Sequence, residues 1–464
     1  MSTTTPPSTT IDDEHFAKRR RLSPGQDAWQ YEGQEEQEET SPEQTTPRQH
    51  RHQQPDTESQ ILALHQRPPA ADPLQHGIQV SRPIAIQRLV DLQFLEVPIF
   101  VKATPNSRDV KEQLPADILS LYTSIRSAAF HHKAFIPAEV RHKVEEYYGD
   151  DMQAHWFRTS RDDTGAQQKA EVEFEKLRSL QSDALKSKSL SRYEDAWNAK
   201  VHLPLLELAL TPDEPSRDHT DITQAPKVEA ELVSSAMITA DSVPRISVLG
   251  ERGSGSQNDG NSILACSASQ SGTSSSNSGM AETRGGLRNK GSKKVDLVLV
   301  LVPTPSSRLQ HAITYARQFG SVNQSTYGPL RENPIACAIE TKITPSNTDP
   351  IVQLGVWTAA WYRRMDALWR TTLGQDTRDR GRMVSLPLIT IVDHAWSLYF
   401  AVDRGDHIVF FGPEFIGSTD KLDAIYSIHA CLKLIQGWIQ SEFHAFLEQW
   451  FGCDQSGGCA QAEG

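Results

Sequence analysis

Two short apolar runs restrict the folds open to this chain more than any other feature. VDLVLVLV spans residues 295–302 and PIACAIETK spans 334–342. Both are rich in branched residues and carry almost no polar side. A run of this kind predicts a strand covered on both faces, as in the middle of a sheet packed between helices. Helical periods surround them. IVQLGVWTAAWYRRMDALWRTTL (351–373) repeats Leu354, Trp357, Trp361 and Leu368 along one side. SRYEDAWNAKVHLPLLELAL (191–210) does so with Trp197, Val201, Leu205 and Leu208, and stops at Pro212. LPLITIVDHAWSLYFAV (386–402) and HIVFFGPEFIG (407–417) predict a strand pair turning at Asp403-Arg404-Gly405, and residues 419–451 predict a long terminal helix. Strands interleaved with helices make this an α/β domain, or an α+β variant of it.

The chain of 464 residues is too polar to be packed throughout: 37% of it is hydrophobic, it holds 27 Gly and 27 Pro, and its mean hydropathy is -0.50. Residues 1–85 predict a disordered tail, rich in Ser, Thr, Pro, Gln and Glu. Within it, AKRRRLSP clusters Lys18, Arg19, Arg20 and Arg21, which is what a nuclear import receptor reads; a solvated charge run is the bland alternative. Residues 86–190 predict a helical extension through 114–130, 137–149 and 169–187, and the domain proper takes 191–451. Residues 251–294 interrupt it as a flexible insertion, and 452–464 form a polar tail. GERGSGSQ in the insertion lacks the GK[ST] and following helix of a phosphate loop. MSTTTPPSTTIDDEH has no secretory core, and no apolar run reaches the roughly 20 residues of a membrane span. Five cysteines without a CxxC spacing point to a reducing, intracellular setting. A net charge of -12 excludes a generally basic nucleic-acid binder but leaves room for local basic patches.

The chemistry collects at strand ends. Glu340 and Lys342 share one face of their strand with Ala336 and Ala338, while Ile335, Cys337, Ile339 and Thr341 take the other. Burying both charges is costly unless each is paired or bound. A salt bridge at the rim, or a strand simply leaving into solvent, would account for the pair alone. Asp296 changes the weighing, because it opens the neighbouring apolar run. Asp296 and Glu340 together supply hard oxygen ligands for Mg²⁺ or Mn²⁺. Such a metal activates water and neutralises charge on a phosphate. Lys342 is placed to stabilise an oxyanion or orient the attacking water. Glu194 is a third acid, and Gln353 a residue to orient the water or the lysine. His202 and His394 read as structural histidines.

The blocks YEDAWNAKVHLPLLELAL, KKVDLVLVL, NQSTYGPL with NPIACAIETK, QLGVWTAAWYRRM, LITIVDHAWSLYFA and IVFFGPEFIGST, in that order over about residues 190–450, resemble the PD-(D/E)XK nuclease superfamily, and more narrowly its fungal nuclease-like domain proteins. The resemblance implies a restriction-endonuclease-like core, a central mixed sheet flanked by helices. It implies Glu194, Asp296, Glu340 and Lys342 as the site. The residue before Asp296 is Val rather than Pro, and the insertions around Asp296 are long. The function expected is Mg-dependent endonucleolytic hydrolysis of DNA in the nucleus. The alternative is a nuclease fold of little activity kept to bind nucleic acid or protein; a structural partner-binding protein is a third reading. Phosphate contact is expected from Arg288, Lys290, Lys293 and Lys294 before Asp296, and from Arg363 and Arg364 after Lys342, with a solvated surface as the equal alternative. Whether a homodimer cuts both strands is left open by the sequence.

Overall fold

The computed structural model describes residues 86–105, 108–159, 165–212, 226–246, 294–344, 349–373 and 381–453. The predicted tail 1–85, nearly all of the insertion 251–294 and the end of the chain from 454 lie outside the described residues. The chain divides into two units. The first, Met1–Ile78, falls wholly outside the described residues, and every described element belongs to the second, Gln79–Gly464.

The described residues build one seven-stranded sheet flanked by helices. Its strands are β1 (Ile99–Lys102), β2 (Lys227–Leu232), β3 (Leu297–Val302), β4 (Ile335–Lys342), β5 (Leu386–Val392), β6 (Ala395–Asp403) and β7 (Ile408–Ser418), in the spatial order β1-β7-β6-β5-β4-β3-β2. β4 pairs parallel with β5, and β1 parallel with β7; the other four pairings are antiparallel. The sheet is therefore mixed. A parallel pair needs a crossover, and the helix Pro350–Leu373 supplies it between β4 and β5 and packs on both. Trp357 and Trp361 on that helix, Trp197 and Trp396 are the largest fully buried side chains. The helix Leu422–Trp438 packs on β7 and on the helices Leu203–Leu210 and Ala166–Ser189.

β3 and β4 hold the interior as their unbroken apolar runs require: all but the last residue of each is buried. Two strands escape a reading by pattern. β1 has only four residues. β2, KVEAEL, carries Lys227, Glu229 and Glu231, the charge load of an edge strand that discourages pairing with another chain. A third departure concerns 386–402, predicted as one member of a strand pair. It is itself a hairpin, β5 and β6, with Val392 opposite Ala395 across a two-residue turn, Asp393-His394. Asp393 takes φ +56°, a left-handed conformation that Asp tolerates better than most residues, so the apolar run folds back where none of the usual glycine marks it. His394 thus lies in a turn, not in a strand.

The helix predicted over 191–210 begins at Glu194 and is not regular. Glu194–Trp197 is α-helical, Asn198–His202 is a π turn, and Leu203–Leu210 is α-helical again. Pro204 explains the widening, because it offers no N–H to the carbonyl four residues back and its ring crowds that carbonyl.

Candidate active site

The register of the sheet brings the acids together. Leu297 lies opposite Ile339, so Asp296, one residue before β3, falls beside Glu340 on the same face. Its backbone is held from both sides: the Asp296 amide donates to Ile339 O at 3.1 Å, and the Val233 amide donates to Asp296 O at 2.8 Å. Its side chain is held too. Both the Thr341 amide and the Thr341 hydroxyl donate to Asp296 Oδ2, each at 2.9 Å. Alternation along β4 assigns the Thr341 side chain to the other face, and that reasoning hides this contact. Asp296 stands past the end of its own strand, where its carboxylate can turn toward the backbone of β4.

Glu340 is fully buried. Lys342 Nζ donates to Glu340 Oε1 and to Thr341 O, and stands 3.6 Å from Glu194 Oε1. Glu340 Oε2 is buried without a hydrogen-bond partner. Desolvation pushes the Glu340 carboxyl up to about 8; the Asp296 charge adds to the shift and Lys342 opposes it. Glu194 is raised as well, first by burial, with Lys342 pulling it back. Burial pulls the Lys342 ammonium down, but Glu340, Glu194 and Asp296 together outweigh it and hold it above its ordinary value. One ammonium therefore faces three acids. Gln353 Nε2 donates to Lys294 O at 2.8 Å, which fastens the chain two residues before Asp296.

This donor set suits a hard divalent cation. Asp296 and Glu340 offer carboxylate oxygens on adjacent strands, and the orphaned Glu340 Oε2 is a buried acceptor whose cost a cation would relieve. As placed, the acids are not a closed shell. Among the described residues, no three His, Cys, Asp or Glu side chains are grouped so as to hold a metal ion. Lys342 lies between Glu340 and Glu194 instead.

A recess opens beside these charges, lined by Glu194, Trp197, His202, Thr341, Lys342, Ile343 and Asp393. His202 is buried, lies against Trp197, and shares a 2.8 Å hydrogen bond between Nδ1 and Asn198 Oδ1. Burial pushes its imidazole down to about 3, so it stays neutral, as expected of a core histidine. His394 is also pushed down by burial, and its Nδ1 is 2.8 Å from Thr419 Oγ1.

The basic residues expected to meet phosphate fall in different surroundings. Arg364 is buried, and its guanidinium donates to the carbonyls of Ser321 and Phe319. Arg363 donates to Asp241 O at 2.9 Å and pairs with Glu96. Arg364 is bound into the fold, while the contacts of Arg363 lie at the surface. Their charge made them candidates, while the carbonyls that claim them are distant in sequence. Lys294 is half-buried, and Arg288, Lys290 and Lys293 lie outside the described residues. No described helix is long and apolar enough to cross a membrane.

A family model of the PD-(D/E)XK nuclease superfamily matches residues 143–444, which takes in every strand of the sheet except β1. No curated protein and no solved structure matches the chain.

Proposed function

The chain belongs to the PD-(D/E)XK nuclease superfamily, and from that premise we propose that it hydrolyses phosphodiester bonds of nucleic acid, DNA in the first place, with the help of Mg²⁺ or Mn²⁺. The observation that carries this reading is Glu340: a carboxyl group with no exposure, beside Asp296 and Lys342, with one oxygen lacking any partner. A fold that needed only a rim salt bridge would not leave that acceptor buried and unmet.

Asp296 and Glu340 are the residues to hold the cation, which would supply charge neutralisation at the phosphate and a more acidic water. Thr341 keeps Asp296 turned into the site. Lys342 remains an ammonium at neutral pH because three acids surround it, so it serves as fixed positive charge for the developing phosphorane oxygens rather than as a base. Glu194 holds Lys342 from the far side. The test is cleavage of plasmid DNA by the purified chain with Mg²⁺ or Mn²⁺, alongside EDTA and Glu340→Ala. Cleavage lost in both controls supports the reading; cleavage that Glu340→Ala leaves intact sinks it.

A second reading has its own observation. Lys342 occupies the space between Glu340 and Glu194, and no three acids group around a metal position among the described residues. A nuclease fold kept for binding would show this geometry. It predicts salt-sensitive DNA binding that needs no divalent cation, survives Glu340→Ala and leads to no cleavage.

A further inference from the structure

The site holds a cation that no spacing in the sequence points to. The helix Ala166–Ser189 ends beside the candidate centre, and the short connection after it delivers Glu194. That connection is tightly made. The Ser191 amide donates to Lys188 O at 3.0 Å, the Arg192 amide to Ser187 O at 3.0 Å, and Arg192 Nη1 to Ser187 Oγ at 2.9 Å. It fixes Lys188 outside the lining of the recess, where Lys188 Nζ pairs with Asp393 Oδ2. Asp393 is part of the recess wall shared with Glu194 and Lys342, and its amide donates to Lys342 O at 2.7 Å.

The pair is lopsided. The Lys188 side chain is 53% exposed while that of Asp393 is 29% exposed. Asp393 Oδ1 is buried with no hydrogen-bond partner. His394 is its other ionisable neighbour, with Nε2 4.0 Å away and an imidazole that burial pushes below its ordinary value. A surface ion pair of this kind contributes little to stability. It does set the charge beside the recess. Unpaired, Asp393 would add a fourth acid to Glu194, Asp296 and Glu340 and repel a polyanion. Paired, it presents an ammonium whose carboxylate partner another oxyanion can replace.

We propose that Lys188 is a nucleic-acid contact of this site, held by Asp393 until a backbone phosphate takes the carboxylate's place. This rests on the nuclease reading for its ligand class and adds a residue and an exchange to it. The pairing makes the proposal testable, because its two halves carry opposite signs. Lys188→Ala removes the phosphate contact and leaves Asp393 repelling. Asp393→Asn frees Lys188 and removes a negative charge.

The experiment is anisotropy of a labelled DNA oligonucleotide on the full chain, with Ca²⁺ in place of Mg²⁺, over a series of salt concentrations. Lys188→Ala should weaken binding about five- to tenfold and lower the salt slope by about one. Asp393→Asn should tighten binding about threefold, by removal of one like charge beside the same recess. Thermal melts of both variants should stay close to wild type, as an exposed pair predicts. If wild type binds DNA but the two variants move affinity in the same direction, or not at all, the pair merely pins the helix to the β5–β6 turn and the proposal falls while the nuclease reading stands. If wild type shows no salt-dependent binding to DNA, the nucleic-acid reading falls and takes this proposal with it.

Discussion

Glu340 and Arg364 are both charged residues buried in the same sheet-and-helix core, and the fold treats them in opposite ways. Arg364 leaves the helix Pro350–Leu373 and meets the carbonyls of Phe319 and Ser321. Its charge closes a loop. Glu340, with no exposure at all, meets one ammonium and leaves an oxygen unmet, and a second acid stands beside it. A buried charge taken up by backbone carbonyls of the fold is structural. A buried acid left incomplete next to other acids points to a ligand. Burial and partners thus separate two residues that the sequence offers alike as candidates for one site, Glu340 as a cation ligand and Arg364 as a phosphate contact.

The largest effect that could break this comparison is on cleavage. Glu340→Ala should lower Mg²⁺-dependent cleavage by at least about a hundredfold, and Glu340→Gln, which keeps the shape and an acceptor for Lys342, should do the same with a thermal melt close to wild type. A variant that cleaves normally, or that unfolds, would make Glu340 as structural as Arg364. The complementary variant is Arg364→Met. It should cost about 2–4 kcal/mol by stranding the two carbonyls, which a denaturant titration reads directly. Cleavage per folded molecule should not change. A fall in cleavage without loss of stability would return Arg364 to the substrate side.

The pH response sharpens the contrast. The native Glu340 carboxyl titrates at about 8, above its ordinary value of 4.5, with burial as the main cause. Between those values the native state keeps a proton that the unfolded chain has released. Glu340 therefore contributes stability at low pH that is lost as pH rises through about 8. A divalent cation binds the carboxylate, so the gain in Tm on adding Mg²⁺ should grow as pH rises from 6 toward about 8, and Glu340→Gln should abolish that growth. A Mg²⁺ effect that is flat with pH would remove Glu340 from the cation site. The smallest effect belongs to the residue between the two charges. Thr341→Val keeps shape but loses the hydroxyl donor to Asp296, and should raise the Mg²⁺ concentration needed for cation-induced stabilisation about fivefold, with Thr341→Ser restoring it. Equal Mg²⁺ titrations for Val and Ser would mean the backbone amide alone orients Asp296.

Periodicity accounts for most of what the sequence made legible. β3 and β4 were plain because a strand covered on both faces has no polar alternation to confuse it, and the helix 350–373 because its tryptophans recur at helical steps. The same periodicity put Glu340 and Lys342 on one face. The hairpin at Asp393-His394 was missed because its turn carries no glycine, and β1 and β2 because an edge strand is short or charged by necessity. Thr341 was assigned away from the site by a rule that holds along a strand and lapses where a neighbour's chain turns past its end.

The class of fold, the central strands and the opposite charges at the end of one of them are legible in the chain alone, because local patterns of burial are written at spacings of two and three to four residues. Only the tertiary structure decided which charges are spent. Whether an arginine meets a carbonyl 43 positions away, whether a lysine lies against an aspartate 205 positions away, and whether a buried carboxylate finds a second donor all depend on contacts that chain packing creates. Electrostatic energy depends on distance and burial in space, and neither is encoded at any fixed spacing along the chain.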